Sequence, residues 1–302
     1  MASNYAFWRY VFGPELAGAI FLLAGFVAIR RRLLFNLADV SVLARVFVPV
    51  PLAVFGAEHF ASANFMKDMV PNWIPGHLFW IYFVGSALFA AAISILTMKY
   101  VRLSASLLGL MLFLFVVLLH VPNVIAHPGD RFRWAVAMRD FSFALGAWTL
   151  AATQMAEAGT EAGRRAIVAC RSLFALVLVF FAFEHLLHPE FTPGVPLPQP
   201  MPAWIPMRAV WGYVTGIMLL ISGLSLLAGK YARATTTFLG ITVTLVVLCI
   251  NTPMLAVAAL PPEITLAVNY VADTMLFAGM IFFVAAAVPL RSRVPELIEA
   301  AA

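Results

Sequence analysis

Charge is what this chain has least of. Asp, Glu, Lys and Arg make up 11% of its 302 residues, against roughly 25% in a soluble globular domain. With 63% hydrophobic residues and a mean hydropathy of +0.96, that scarcity excludes a soluble domain and implies a polytopic membrane protein. About nine spans of roughly 20 residues fit the length, so function must lie within the bilayer or at its edge. Cysteine is nearly absent too. Cys170 and Cys249 sit in apolar segments at opposite expected ends of the membrane, which excludes a disulfide framework. Residues 1 to 10 lack the basic start of a secretory signal. The first apolar run, Val11 to Ile29, leads into Arg30-Arg31-Arg32 and not into a small-residue cleavage site. It reads as a retained span with its N-terminus outside, although Arg9 and Glu15 at its edge must reach headgroups or find partners. No nucleic-acid, haem, flavin or iron-sulfur motif is present, so electron transfer would need a membrane redox partner or a bound quinone.

What the chain does have is a repeat. Glu58 to Gly85 (EHFASANFMKDMVPNWIPGHLFWIYFVG) returns in degraded form as Glu184-His185 and then PAWIPMRAVWGYVTG from Pro202 to Gly216. Pro71, Trp73, Pro75, Trp80, Tyr82 and Gly85 map onto Pro202, Trp204, Pro206, Trp211, Tyr213 and Gly216, each 131 residues on. Lys99, Tyr100, Arg102 and Pro122 map likewise onto Lys230, Tyr231, Arg233 and Pro253. The expected architecture is therefore an all-α membrane protein of about nine transmembrane helices. An N-terminal span (1–39) precedes a first four-helix module (40–155), a polar cytoplasmic linker (156–166) and a second module with its tail (167–302). Helices are predicted near 40–60, 77–98, 103–122, 133–153, 167–188, 206–229, 234–252 and 264–289. Four per module is an even number, so the copies enter from one side as parallel repeats, unlike the inverted repeats of many transporters.

Basic residues orient the whole. If Arg30 to Arg32 are cytoplasmic, that side also holds Arg45, Lys99, Arg102, Arg164, Arg165, Arg171, Lys230, Arg233, Arg291 and Arg293, thirteen of nineteen Lys and Arg. The positive-inside rule then puts both Pro-x-Trp-Ile-Pro segments on the outer face and the C-terminus in the cytoplasm. Those outer stretches are rich in proline and aromatics, and caps over the bundle mouths are expected from them. Trp73 and Trp204 also fit an ordinary aromatic belt at the headgroups.

Ionisable groups within spans are costly and mark function or polar clamps between helices. The outer half of module one can gather Glu58, His59, His77, Trp80, His120, Asn123, Arg139 and Asp140. Module two offers Glu184, His185 and Asp273, with Arg208 where module one has His77. Each module thus keeps one arginine for its carboxylates, Arg139 in the first and Arg208 in the second. Glu58, His120 and Asp140 have the residue types for proton transfer and are the candidate catalytic set. His59, Trp73, His77, Trp80, Tyr82, Arg139, Glu184, His185, Trp204, Arg208, Trp211 and Asp273 are candidate ligand-binding residues. His185 and His188 are three apart but lack the zinc-protease order, and no metal is assigned.

Glu58-His59-Phe60 at the end of one helix, then Pro71-x-Trp73-Ile74-Pro75 leading into Phe79-Trp80-x-Tyr82-x-x-Gly85, resembles the DoxX-like bacterial membrane proteins, here in tandem. The resemblance covers nearly everything after residue 40. It implies a multi-pass four-helix bundle in the bacterial inner membrane and a family linked to thiosulfate oxidation with quinone as acceptor and to oxidative-stress complexes. The fold is also similar to that of the EXPERA proteins, which hold sterol-like ligands and include an intramembrane isomerase. Three readings follow: a redox-accessory protein binding a quinone or other lipophilic molecule in an outer cleft, a structural subunit without chemistry, or an isomerase-type acid/base enzyme.

Overall fold

The computed structural model describes residues 2–35, 40–195 and 199–289, and every regular element among them is helical. In order these are α1 (Ala2–Phe35), α2 (Ala44–Phe47), α3 (Pro49–Ala61), α4 (Ala63–Met66), α5 (His77–Thr97), α6 (Val101–Phe115) and α7 (Val121–Ala126). They continue with α8 (Arg131–Glu157), α9 (Glu161–Leu187), α10 (Arg208–Ala228), α11 (Ala232–Val246), α12 (Thr252–Val257) and α13 (Pro261–Ala287). Of the basic residues used for orientation, Arg291 and Arg293 lie outside the described residues.

Among the described residues six helices are long and apolar enough to cross a membrane: α5, α6 with α7, α9, α10, α11 with α12, and α13. The bent pair α3 and α4, turned by 83°, makes a seventh if read as one span. This is a multi-pass membrane protein. The expected nine includes two helices that fall short of that standard for identifiable reasons. The apolar part of α1 is only Gly13–Ile29, and α8 carries Arg131, Arg133, Arg139 and Asp140 in its N-terminal half.

The expected end of a helix at Pro122 does not occur. The chain passes through a five-residue π-helical segment, Val116–His120, and continues as α7. Proline lacks an N–H and crowds the carbonyl four residues back, and the wider π turn relieves both problems. Pro253 is accommodated identically behind a π segment at Val247–Asn251. The tight turns into α6 and α11 also use one conformation, with left-handed backbone at Met98 and Tyr100 and at Gly229 and Tyr231.

Packing follows a closed ring in which α3 neighbours α5, then α6, α8, α9, α10, α11 and α13, and α13 returns to α3. α8 and α13 also meet across the ring, so closely that a Cβ on Gly146 would lie 2.5 Å from that of Met280. α1 lies outside against α3. The two expected modules are therefore not separate bundles. The first helix of the second (α9) packs on α8, while the first helix of the first (α3) packs on α13 through Val54, Val268 and Ala272. Phe174, Phe181 and Phe277 fill the core between α9 and α13.

Candidate functional site

At the α8–α13 crossing, one arginine holds two carboxylates. Arg139 donates from Nε to Oδ1 of Asp140 at 2.8 Å and from a terminal nitrogen to Oδ2 of Asp273 at 2.7 Å. His120, aimed inward from the π segment, donates from Nε2 to the second oxygen of Asp140 at 2.8 Å; a carboxylate only accepts, so that nitrogen bears the proton. All four side chains are largely buried. This corrects the expectation of one arginine per module. Arg208 is exposed and borders a shallow surface depression with Glu190 and Met207, while the cation of Asp273 comes from the other half of the chain.

The two Glu-His pairs are built alike at the histidine and differently at the glutamate. His59 and His185 each donate from Nδ1 to the carbonyl four residues back, Phe55 and Phe181, at 2.7 Å. The Cβ atoms of both pack on a glycine of the next span, Gly85 and Gly216. His185 also accepts the N–H of Gly194 on Nε2 at 3.2 Å. Both its nitrogens are engaged, so it is a neutral structural imidazole unavailable to a metal. Glu184 pairs with Arg131 at 3.0 Å, whose guanidinium lies 4.5 Å from the ring of Phe191. Among the described residues, the Glu58 carboxyl makes no hydrogen bond or ion pair. It feels the charge of Asp273 and lines a cavity of about 220 Å³ with Pro14, Glu15, Ser62, Met66, Ile264 and Asn269 among its walls.

The loops explain this asymmetry. Between α9 and α10 the chain folds into a small hairpin, with Phe191 bridged to Pro200 and Thr192 N–H donating to the carbonyl of Gln199 at 2.8 Å. It inserts Val195 into the core, and Gln199 N–H donates to the Tyr270 hydroxyl at 2.9 Å. Gly194 has a φ of +131° and sits where a Cβ would fall 2.6 Å from Thr274 Oγ1, so only glycine fits. This loop caps its half as the proline content predicts. The corresponding stretch of the first half turns outward as α4 and a 3₁₀ turn, Lys67–Met69, leaving Phe65, Met69 and Trp73 exposed.

Of the predicted catalytic set, His120 and Asp140 meet and Glu58 stands apart at the cavity. Both oxygens of Asp140 are occupied, so it orients His120 and is not itself a free base. Arg139 and Asp273 complete the network, whereas His59 and His77 do not approach His120. The outer aromatics do not wall a cleft over it either. Trp80 donates to the Pro75 carbonyl at 3.1 Å on an exposed face, Tyr82 stacks on Phe60, Trp73 and Trp204 are exposed, and Trp211 packs against the small apolar cluster that includes Met201, Ile205 and Ile250. Arg131, Asn269, Tyr270 and Glu15 were not expected as site residues. A signal for Arg131 exists: it stands nine residues before Asp140, and Ile264 stands nine before Asp273.

Residues 48–165 match the model of a family described as a domain of unknown function (DUF8561). No curated protein and no solved structure matches the chain.

Proposed function

We propose that this chain is a bacterial inner-membrane protein built from an N-terminal helix and two parallel four-helix repeats. In this reading it binds a small lipophilic molecule in the cavity between α1, α3, α4 and α13. The observation that carries it is the cavity itself: a hollow of about 220 Å³ with apolar walls and a few convergent polar groups, the usual make-up of a ligand site. Two features support the repeat. α5 and α10 both have 21 residues, α6 and α11 both 15, and α8 and α13 both 27. Gly109 and Gly240, 131 apart, each receive an aromatic ring from the fourth helix of their own repeat, Trp148 and Phe282. The family match over 48–165 spans the first of these repeats.

α8 is proposed to cross with the others, its charges neutralised inside the ring, because its 27 residues extend roughly 40 Å at 1.5 Å per residue. The positive-inside bias then places the cavity, the ion network and the hairpin cap at the outer face. A quinone as the ligand and a redox-accessory role rest on the DoxX-like resemblance. Ser62 and Asn269 supply donors for a carbonyl. The structural-subunit reading draws on the Arg139 network, and an acid/base enzyme would use His120, whose Nδ1 has no partner among the described residues.

The test is organic extraction of protein purified in mild detergent, followed by mass spectrometry, with Ile264→Trp run beside the parent. A stoichiometric lipophilic molecule in the parent, lost from the filled variant, is the expected result. Nothing above the detergent control in either would sink the binding reading and leave the structural one.

A further inference from the structure

The ring of helices sets up an internal comparison. α8 packs on α9 and α13 packs on α3, and Asp140 on α8 and Asp273 on α13 both reach Arg139. Nine residues before Asp140, Arg131 reaches Glu184 on α9. Nine residues before Asp273, the equivalent position is Ile264, and it faces the same cavity as Glu58 on α3. Glu184 therefore holds a guanidinium supplied by its own chain, while Glu58, its counterpart, holds none. Where Arg131 of α8, Phe191 and the hairpin fill the space beside Glu184, the space beside Glu58 is a hollow with an unpaired, largely buried carboxylate facing into it.

From this we infer that the cavity takes a ligand with a cationic nitrogen, an ammonium or guanidinium on an apolar body, which pairs with Glu58 as Arg131 pairs with Glu184. The inference rests on the cavity reading and narrows it from lipophilic molecules in general, quinones among them, to cations. Electrostatics around the hollow agree. Glu15 and Glu58 line it, Asp273 is felt at Glu58, and Arg139, the arginine of the adjoining network, is already shared between Asp140 and Asp273. A carboxylate paired with an incoming cation offers acceptors and no donors, so Glu58 matches N–H groups and gives an anion nothing to bind. Ser62 and Asn269 add acceptors for further N–H bonds, and Phe65, Met66, Met69 and Val268 supply surface for a short apolar tail, with soft thioethers that adapt to shape.

The experiment measures binding of four probes of one tail length, n-octylammonium, n-octylguanidinium, n-octanol and octanoate, to the full chain in phosphatidylcholine nanodiscs. The parent is expected to bind both cations at least about tenfold tighter than octanol, the size of effect a charge-assisted hydrogen bond gives. Glu58→Gln should erase that preference while octanol binding persists, which also reports that the cavity is intact. Ile264→Arg, which rebuilds the Arg131 arrangement, should displace the cations, and Glu184→Gln should leave the preference standing. Adding phosphatidylethanolamine distinguishes the sources: competition identifies a lipid headgroup as the natural cation, and its absence identifies a free amine. Octanol or octanoate binding as tightly as the cations, or cation affinity unchanged in Glu58→Gln, overturns the charge assignment but keeps the cavity. Binding of none of the four, together with an empty extract, removes the cavity reading itself.

Discussion

The two halves of the sequence share three pairs of helices of matching length, a proline absorbed by a π segment, and a histidine tied to its own helix. They part at one glutamate. Glu184 is closed, with Arg131 on it, Phe191 beside the guanidinium and a hairpin packed over the region. Glu58 is open, unpaired and against a hollow. On the two-repeat reading proposed above, a few side chains and a loop are enough to seal the space at Glu184, while the corresponding space at Glu58 stays open. Between them stands Arg139, which belongs to the first half by sequence and to both by contact.

That shared centre gives the largest expected effect. Arg139→Met leaves Asp140 and Asp273 buried without a cation, and breaking such a buried arrangement costs about 3–5 kcal/mol. Thermal unfolding in detergent should show one transition lowered for the whole chain, since the arginine bridges α8 and α13. Adding Asp140→Asn and Asp273→Asn to that variant should recover much of the loss, because the stranded charges are gone. Two separate transitions, with only one shifted, would mean that the halves fold independently and would break the comparison at its root.

Next is the glutamate difference itself. Arg131→Met removes a charge-assisted bond from largely buried Glu184 and should cost about 1.5–3 kcal/mol in the same assay. Glu58→Gln removes a carboxylate that pairs with nothing, so stability should hold or rise. Equal losses from both would show that Glu58 has a partner and that the halves are alike after all.

A smaller effect tests the likeness. Gly109→Leu drives a side chain into Trp148 and Gly240→Leu drives one into Phe282; overpacking of this kind costs about 1–3 kcal/mol. The two losses should agree. A large disparity would confine the structural correspondence to the loops.

Sequence legibility followed the same line between what repeats and what crosses. Spans such as His77–Thr97 and Arg208–Ala228 lay close to their predicted bounds because apolar length and flanking Pro, Gly and charge are local signals. The pairing of His120 with Asp140 was within reach, since both lie near one end of neighbouring helices. The Arg139–Asp273 bond was not, because its partners are 134 residues apart and treating each module as self-contained assigned Asp273 to Arg208. The helix continuing past Pro122 was missed for a different reason. Proline ends an α-helix by rule, and nothing in the local residues announces the π turn that absorbs it. Trp73, Trp80 and Trp204 marked the repeat well but not the cavity, which is set by the 83° bend after Ala61.

The smallest expected effect lies at the start of the fourth helices. Asp130 caps α8 by accepting the N–H groups of Phe132 and Arg133, and it pairs with Arg133 Nε at 2.9 Å. α13 has no such residue. Leu260 stands at its cap, and Glu263 reaches back to accept the N–H groups of Ala259 and Leu260 at 3.2 Å. Desolvation opposes ionisation of Asp130, but the Arg133 side chain and the two backbone N–H groups together outweigh it and hold the carboxyl below its ordinary value of 3.8. A carboxyl depressed in the folded state stabilises it above the unfolded value and loses that contribution as pH falls through the folded one. The cap should therefore be at full strength at neutral pH and fade below about pH 4. Asp130→Ala should lower the midpoint slightly at pH 7 and approach the parent as pH falls through the depressed folded-state value. The contribution is small because the site is exposed and water competes for the same N–H groups. A difference that persists unchanged into acid would mean that the cap works through loop packing and not through its charge.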